Sequence, residues 1–192
     1  VLITVIGRVQ GVGFRPFVFS LANDFSILGT VQNNMDGVYI HAEGTQQNID
    51  SFLEAITNRA PRLSRILEVK SIHTQYKGFV DFSIIKSSNV GNSQIVIPID
   101  AAVCAECVEE MKNPSDFRFE YAFINCTQCG PRYTIIKDLP YDRPLTTMSE
   151  FEMCGKCKEE YTDIHNRRHH AQPIACPNCG PKLSLLNNQG DV

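Results

Sequence analysis

The sequence predicts an α+β domain of ferredoxin-like βαββαβ order, followed by two small four-cysteine zinc-finger modules. Three observations carry this reading. Strand-like and helix-like apolar patterns alternate through roughly the first 90 residues, which contain no cysteine. All eight cysteines fall between positions 104 and 179, each in a CxxC pair. The cysteine pattern also repeats after 50 residues. With 192 residues, 43% of them hydrophobic, the chain is long enough for more than one unit.

Val1 to Val9 is apolar and β-branched, as a buried strand requires. The next segment places Phe14, Phe17, Val18, Leu21, Ala22 and Phe25 on one helical face, and Pro16 suits a first turn, where its missing N–H costs nothing. Ile27 to Gln32 and Gly37 to Ala42 read as strands joined by a tight turn at Met35, Asp36 and Gly37. Thr45 can cap a second helix whose apolar stripe is Ile49, Phe52, Leu53, Ile56 and Ala60, with Pro61 just past its end. Ile66 to Tyr76 and Phe79 to Ile85 supply one or two closing strands. One sheet with both helices on one face follows.

Cys104, Cys107, Cys126 and Cys129 recur as Cys154, Cys157, Cys176 and Cys179, with an 18-residue gap inside each copy. Arg118, Ile124, Gly130 and Pro131 recur as Arg168, Ile174, Gly180 and Pro181, so the region is a duplicated module. Two CxxC turns at this spacing bring four thiolates around one tetrahedral zinc, which leaves no open ligand position and makes the metal structural. Such small modules need the metal to fold. Disulfides and redox use are the alternatives. No export signal opens the chain and no apolar run is long enough to span a bilayer, so a cytoplasmic, zinc-loaded protein without a membrane partner is expected.

Between Cys104 and Cys179 there are nine Lys or Arg against twelve Asp or Glu. That balance argues against nucleic-acid binding, which needs a basic stripe. His169 and His170 are left without a role, because cysteine already fills both metal sites. The units expected are residues 1–90, a linker 91–103, fingers 104–131 and 154–181 with a connector 132–153, and a further linker starting at 182–192. The Val1 start and the polar end read as a piece of a longer chain.

Gly7 to Arg15, GRVQGVGFR, lies between the first strand and the first helix. Gly11 and Gly13 let successive N–H groups converge at a helix N-terminus, an anion nest, and Arg15 could grip two phosphate oxygens. The same glycines serve equally to make room for packing, and Arg15 alone reads as a solvated charge. No Walker or dinucleotide loop fits.

GRVQGVGFR followed by Asn33, Asn34, Met35, Asp36 and Gly37 resembles the two signature segments of acylphosphatases. This implies that the amides of Gln10, Gly11, Val12, Gly13 and Phe14 bind phosphate together with Arg15, and that Asn33 orients the attacking water. Read alone, Asn33 is a turn residue beside a hairpin. With the duplicated CxxC units, and with INCTQCGPRYTI, YDRP and HAQPIACPNCGP starting at Ile124, Tyr141 and His170, nearly the whole chain resembles the N-terminal part of the HypF carbamoyltransferases. These act in nickel–iron hydrogenase maturation. The resemblance implies hydrolysis of carbamoyl phosphate to carbamate and phosphate here. It further implies that downstream domains use ATP with magnesium to form carbamoyl adenylate, and pass the carbamoyl group to the C-terminal cysteine of HypE. A ligand-binding or partner-binding module on a zinc scaffold is the competing reading.

Overall fold

The first strand, β1 (Leu2–Arg8), is paired on both edges and buries Ile3 and Val5 completely on its inner face. A computed structural model describes residues 1–92 and 95–190; Ser93 and Gln94 of the expected linker, and Asp191 and Val192, lie outside the described residues. Helix α1 (Phe14–Asp24) buries Phe14, Val18, Leu21 and Ala22, the stripe read from the sequence. Strands β2 (Leu28–Asn34) and β3 (Gly37–Glu43) form the expected hairpin. β2 runs past the expected Gln32 because Asn33 and Asn34 continue the ladder opposite Val38 and Gly37. Helix α2 (Gln46–Asn58) is capped by Thr45, whose hydroxyl accepts the Asn48 N–H at 3.2 Å.

Both closing strands form: β4 (Arg65–Ile72) pairs with β1, and β5 (Phe82–Ile84) pairs in parallel with β2. The sheet order is β4-β1-β3-β2-β5. β3 lies between β1 and β2, and β1 between β3 and β4, the two interleaved βαβ units of the ferredoxin-like fold. Residues from both helices and the sheet, among them Phe14, Val31, Ile40, Phe52 and Ile56, form one core.

The cysteine region is built by exchange between its two copies. Helices α3 (Ala105–Lys112) and α4 (Gly155–Thr162) start directly after Cys104 and Cys154 and carry Cys107 and Cys157 in their first turns. Arg118 of the first copy is 1% exposed and is held by the second copy. Its Nε donates to the Ala175 carbonyl at 2.8 Å, Nη1 to Glu160 at 3.1 Å, and Nη2 to the Cys157 sulfur at 3.4 Å. Arg168, the repeat equivalent, does the converse. It donates to the Asn125 carbonyl at 2.9 Å, to Glu110, and to the Cys107 sulfur at 3.8 Å. These three partners differ by the same 50 residues, so the two copies are related by a pseudo-two-fold exchange, to which Arg168 adds a bond to Glu160 of its own copy at 3.4 Å. Arg167 adds contacts to Glu110 at 3.0 Å and Cys107 at 2.7 Å. Burial by itself would raise the Glu110 carboxyl, but the guanidinium bonds from Arg168 and Arg167 outweigh it and hold it below the usual range.

Candidate phosphate site and metal centres

The loop between β1 and α1 turns at Gly11 and Gly13, both left-handed with φ of 67° and 75°. Gly13 is the N-cap of α1 and has no side chain to offer its N–H groups. Among the described residues, no protein group accepts the backbone N–H groups of Gln10, Gly11, Val12, Gly13, Phe14 or Arg15. Unpaired donors are rare where backbone is buried, and a run of them at a helix start is an anion cradle. Val12 and Phe14 contribute only their amides, because their side chains belong to the core.

Gln10 is likewise committed through its side chain. Its amide nitrogen donates to the Asn34 and Gly37 carbonyls at 2.7 and 2.8 Å, which locks the loop onto the β2–β3 turn. Arg15 and Asn33 both line the cavity beside the loop. Asn33 is buried in β2 rather than placed in the turn. Its Nδ2 donates to the Tyr141 carbonyl at 3.3 Å, while its Oδ1 is buried with no partner, leaving an acceptor for a ligand or a water.

The other wall of this cavity comes from the cysteine region, which sequence reasoning did not assign to it: Thr127, Arg132, Tyr141, His170 and Gln172. Arg132, 2% exposed, donates to the carbonyls of Cys126, Thr127, Cys129 and Pro131 and, through Nε, to that of Gly11. In a trans peptide the carbonyl and the next N–H point opposite ways, so the grip on Gly11 turns the Val12 N–H away from Arg132. The Tyr141 N–H donates to the Gln10 side chain at 3.0 Å, and Asp142 pairs with Arg15 at 2.7 Å. The contacts are tight: a Cβ on Gly11 would lie 2.8 Å from Pro98 and 3.2 Å from Tyr141. Arg132, Tyr141, Asp142, His170 and Gln172 all sit within the three segments quoted for the family resemblance, and that is the signal that could have found them.

His169 and His170 are packed groups. His169 stacks edge-on against Phe19 of α1 with centroids 5.7 Å apart, and His170 lies 4.9 Å from the Tyr161 ring. Burial, with Arg15 and His169 nearby, lowers His170 to about 3, and burial lowers His169 as well. Both are neutral in the fold, whereas the unfolded chain protonates them near 6.5. The unfolded state therefore binds more protons below that pH, and stability falls as pH drops from about 7 towards the folded values. The urea midpoint of the metal-loaded protein is expected to fall between pH 7.5 and 5.5. His170→Asn, an Asn being suited to the φ of 54° at this position, is expected to flatten that slope.

The eight cysteines are unpaired thiols gathered as two groups, Cys104, Cys107, Cys126 and Cys129, and Cys154, Cys157, Cys176 and Cys179. Neighbouring sulfurs lie 3.6 to 3.8 Å apart in the first group and 3.6 Å apart in the second. Four sulfurs at about 2.3 Å from a tetrahedral zinc stand about 3.8 Å from one another, so both groups fit that ion. Hydrogen bonds from Cys126 and Cys129, and then burial, push the Cys107 thiol up, and burial does the same to Cys157. A divalent cation offsets that cost.

Two family models match the chain: Acylphosphatase over residues 1–84, and HypF finger over residues 103–136 and 153–186. The acylphosphatase of Staphylococcus haemolyticus is 42% identical over 83 residues, which cover 43% of this chain and 91% of that protein. The first domain is thus of the acylphosphatase class. The carbamoyltransferase HypF of Synechocystis sp. is 44% identical over 151 residues, covering 79% of this chain but 20% of that protein. A crystal structure of full-length HypF in a phosphate- and nucleotide-bound form superposes with TM-score 0.92 at 48% identity, covering 95% of this chain and 24% of that one. HypF of T. kodakarensis gives TM-score 0.82 at 46% identity, with 93% and 22% covered.

The chain belongs to the HypF carbamoyltransferase family and matches its N-terminal region, about a fifth of the length of those relatives. No helix among the described residues is long and apolar enough to cross a membrane.

Proposed function

We propose that this chain hydrolyses carbamoyl phosphate to carbamate and phosphate as the first step of a HypF-type carbamoyl transfer. The observation that carries the reading is the run of unaccepted amides from Gln10 to Phe14 beside Arg15 and the free Asn33 oxygen. The amides and guanidinium hold the phosphoryl oxygens and neutralise charge as it spreads over them. Asn33 accepts from a water and aims its oxygen at phosphorus. The new P–O bond forms as the P–O bond to the carbamoyl group breaks, and carbamate leaves with the electron pair. A carboxylate-like leaving group of this kind needs little acid help.

Two zinc ions would hold the fingers and take no part in the chemistry. In the full-length protein, ATP with magnesium would form carbamoyl adenylate in domains beyond this chain, and the carbamoyl group would pass to the C-terminal cysteine of HypE. No nucleic acid is expected as a partner, and a cytoplasmic location fits the reduced thiols.

Phosphate release from carbamoyl phosphate and from acetyl phosphate by the zinc-loaded chain tests the proposal. Turnover is expected with both, and its absence from folded protein would leave a binding module. Asn33→Ala is expected to keep affinity for inorganic phosphate within a few-fold yet lose about a hundredfold in kcat. An unchanged turnover number would remove Asn33 from the mechanism.

A further inference from the structure

Asp142 lies 127 residues from Arg15 in sequence, yet its Oδ1 takes the Arg15 Nη2 at 2.7 Å, while the Ser87 hydroxyl takes Nη1 at 3.3 Å. The side chains of this ion pair are only 10% and 21% exposed, so the contact is largely shielded from water. The residue before it, Tyr141, supplies the carbonyl that orients Asn33 and the N–H that meets Gln10. One dipeptide of the cysteine region therefore touches the loop, the guanidinium and the amide of the proposed site.

Arginine keeps rotamer freedom about several bonds unless its fork is held at one edge. Asp142 and Ser87 hold that edge, and Arg15 lines the cavity beside the loop amides. We infer that Asp142 is a positioning residue of the acyl phosphate site, acting through Arg15. The inference rests on the proposed phosphatase reading and adds to it that the site is composite, with the finger connector completing what the first domain begins. A carboxylate paired with the phosphate-binding arginine also offsets part of its positive charge. It is useful only if the orientation it imposes outweighs that loss.

The test uses Asp142→Ala, Asp142→Asn and Asp142→Glu in the whole zinc-loaded chain. Thermal melts and zinc content are checked first, then kcat and KM for carbamoyl phosphate and the Kd for inorganic phosphate. Asp142→Ala is expected to lower kcat/KM about tenfold, a loss on the scale of a misplaced catalytic group. Asp142→Asn, which keeps an acceptor, is expected to retain more of the activity than Asp142→Ala, and added formate is expected to restore part of the rate to the alanine variant. A purely structural residue would show no such rescue.

Wild-type kinetics in a folded Asp142→Ala protein would overturn the inference. So would a raised kcat/KM, which would make Asp142 a competitor of the substrate rather than a support for Arg15. If wild-type protein turns over no acyl phosphate, the phosphatase reading fails separately and the phosphate Kd still decides. A weaker Kd in Asp142→Ala sustains the positioning role, and an unchanged or tighter one ends it.

Discussion

Arg15→Ala is expected to abolish measurable phosphate release from carbamoyl phosphate, a loss of at least about 10³-fold. Arg15 lines one cavity with the unaccepted loop amides and the acceptor of Asn33, whereas the guanidinium of Arg132, in the same cavity, is committed to backbone carbonyls. In the proposed reaction removal of Arg15 takes away the charge that would stabilise the transferring phosphoryl group. It also leaves the Asp142 carboxylate, now unpaired, beside an anion site. Affinity for inorganic phosphate should fall with the rate, in contrast to Asn33→Ala. Arg15→Lys should recover little, because a point charge on a flexible stem lacks the two-pronged donor set. Wild-type turnover in Arg15→Ala would refute the assignment.

Arg118→Leu is expected to cost about 3 kcal/mol of stability, the scale for removing one partner of a buried ion pair. The change leaves the Ala175 carbonyl and part of Glu160 without their donor. Its diagnostic effect is crossed. Arg118 belongs to the first finger, yet its guanidinium meets the Cys157 sulfur of the second. Zinc held by Cys154, Cys157, Cys176 and Cys179 should therefore escape to a chelator faster, while the first site is disturbed less. Equal acceleration at both sites, or at neither, would contradict the exchange.

Much of the first domain was legible because local signals there agree with one another. The stripe of α1, the Thr45 cap, the Asp36–Gly37 turn and the loop glycines each state one structural requirement. The grouping of cysteines followed from spacing in the same way. What periodicity could not state is which surface the fingers cover. Arg132 reaches Gly11, and Asp142 reaches Arg15, across 121 and 127 residues. Such contacts follow no helical or strand period. Asn33 illustrates the difference: in sequence it resembles any turn asparagine, and only the Tyr141 carbonyl makes one end of its amide a donor and frees the other. The role of Arg118 and Arg168 was half visible as a repeated position, but a repeat does not reveal that each arginine serves the other copy.

That reciprocity bears on how such a unit could arise. Each copy carries both halves of the exchange: Arg118 with Glu110 and Cys107 in one, Arg168 with Glu160 and Cys157 in the other. A single ancestral finger would have carried the same donor and the same receptor, so two identical chains could have satisfied one another about a two-fold axis. Gene duplication then turns a concentration-dependent homodimer into a tethered one, in which each half meets its mate at an effective millimolar level however dilute the protein. Freed from identity, the two halves could diverge on their outer faces, one supplying Arg132 to the loop between β1 and α1 and the other His169 to α1, while the reciprocal arginine contacts were kept.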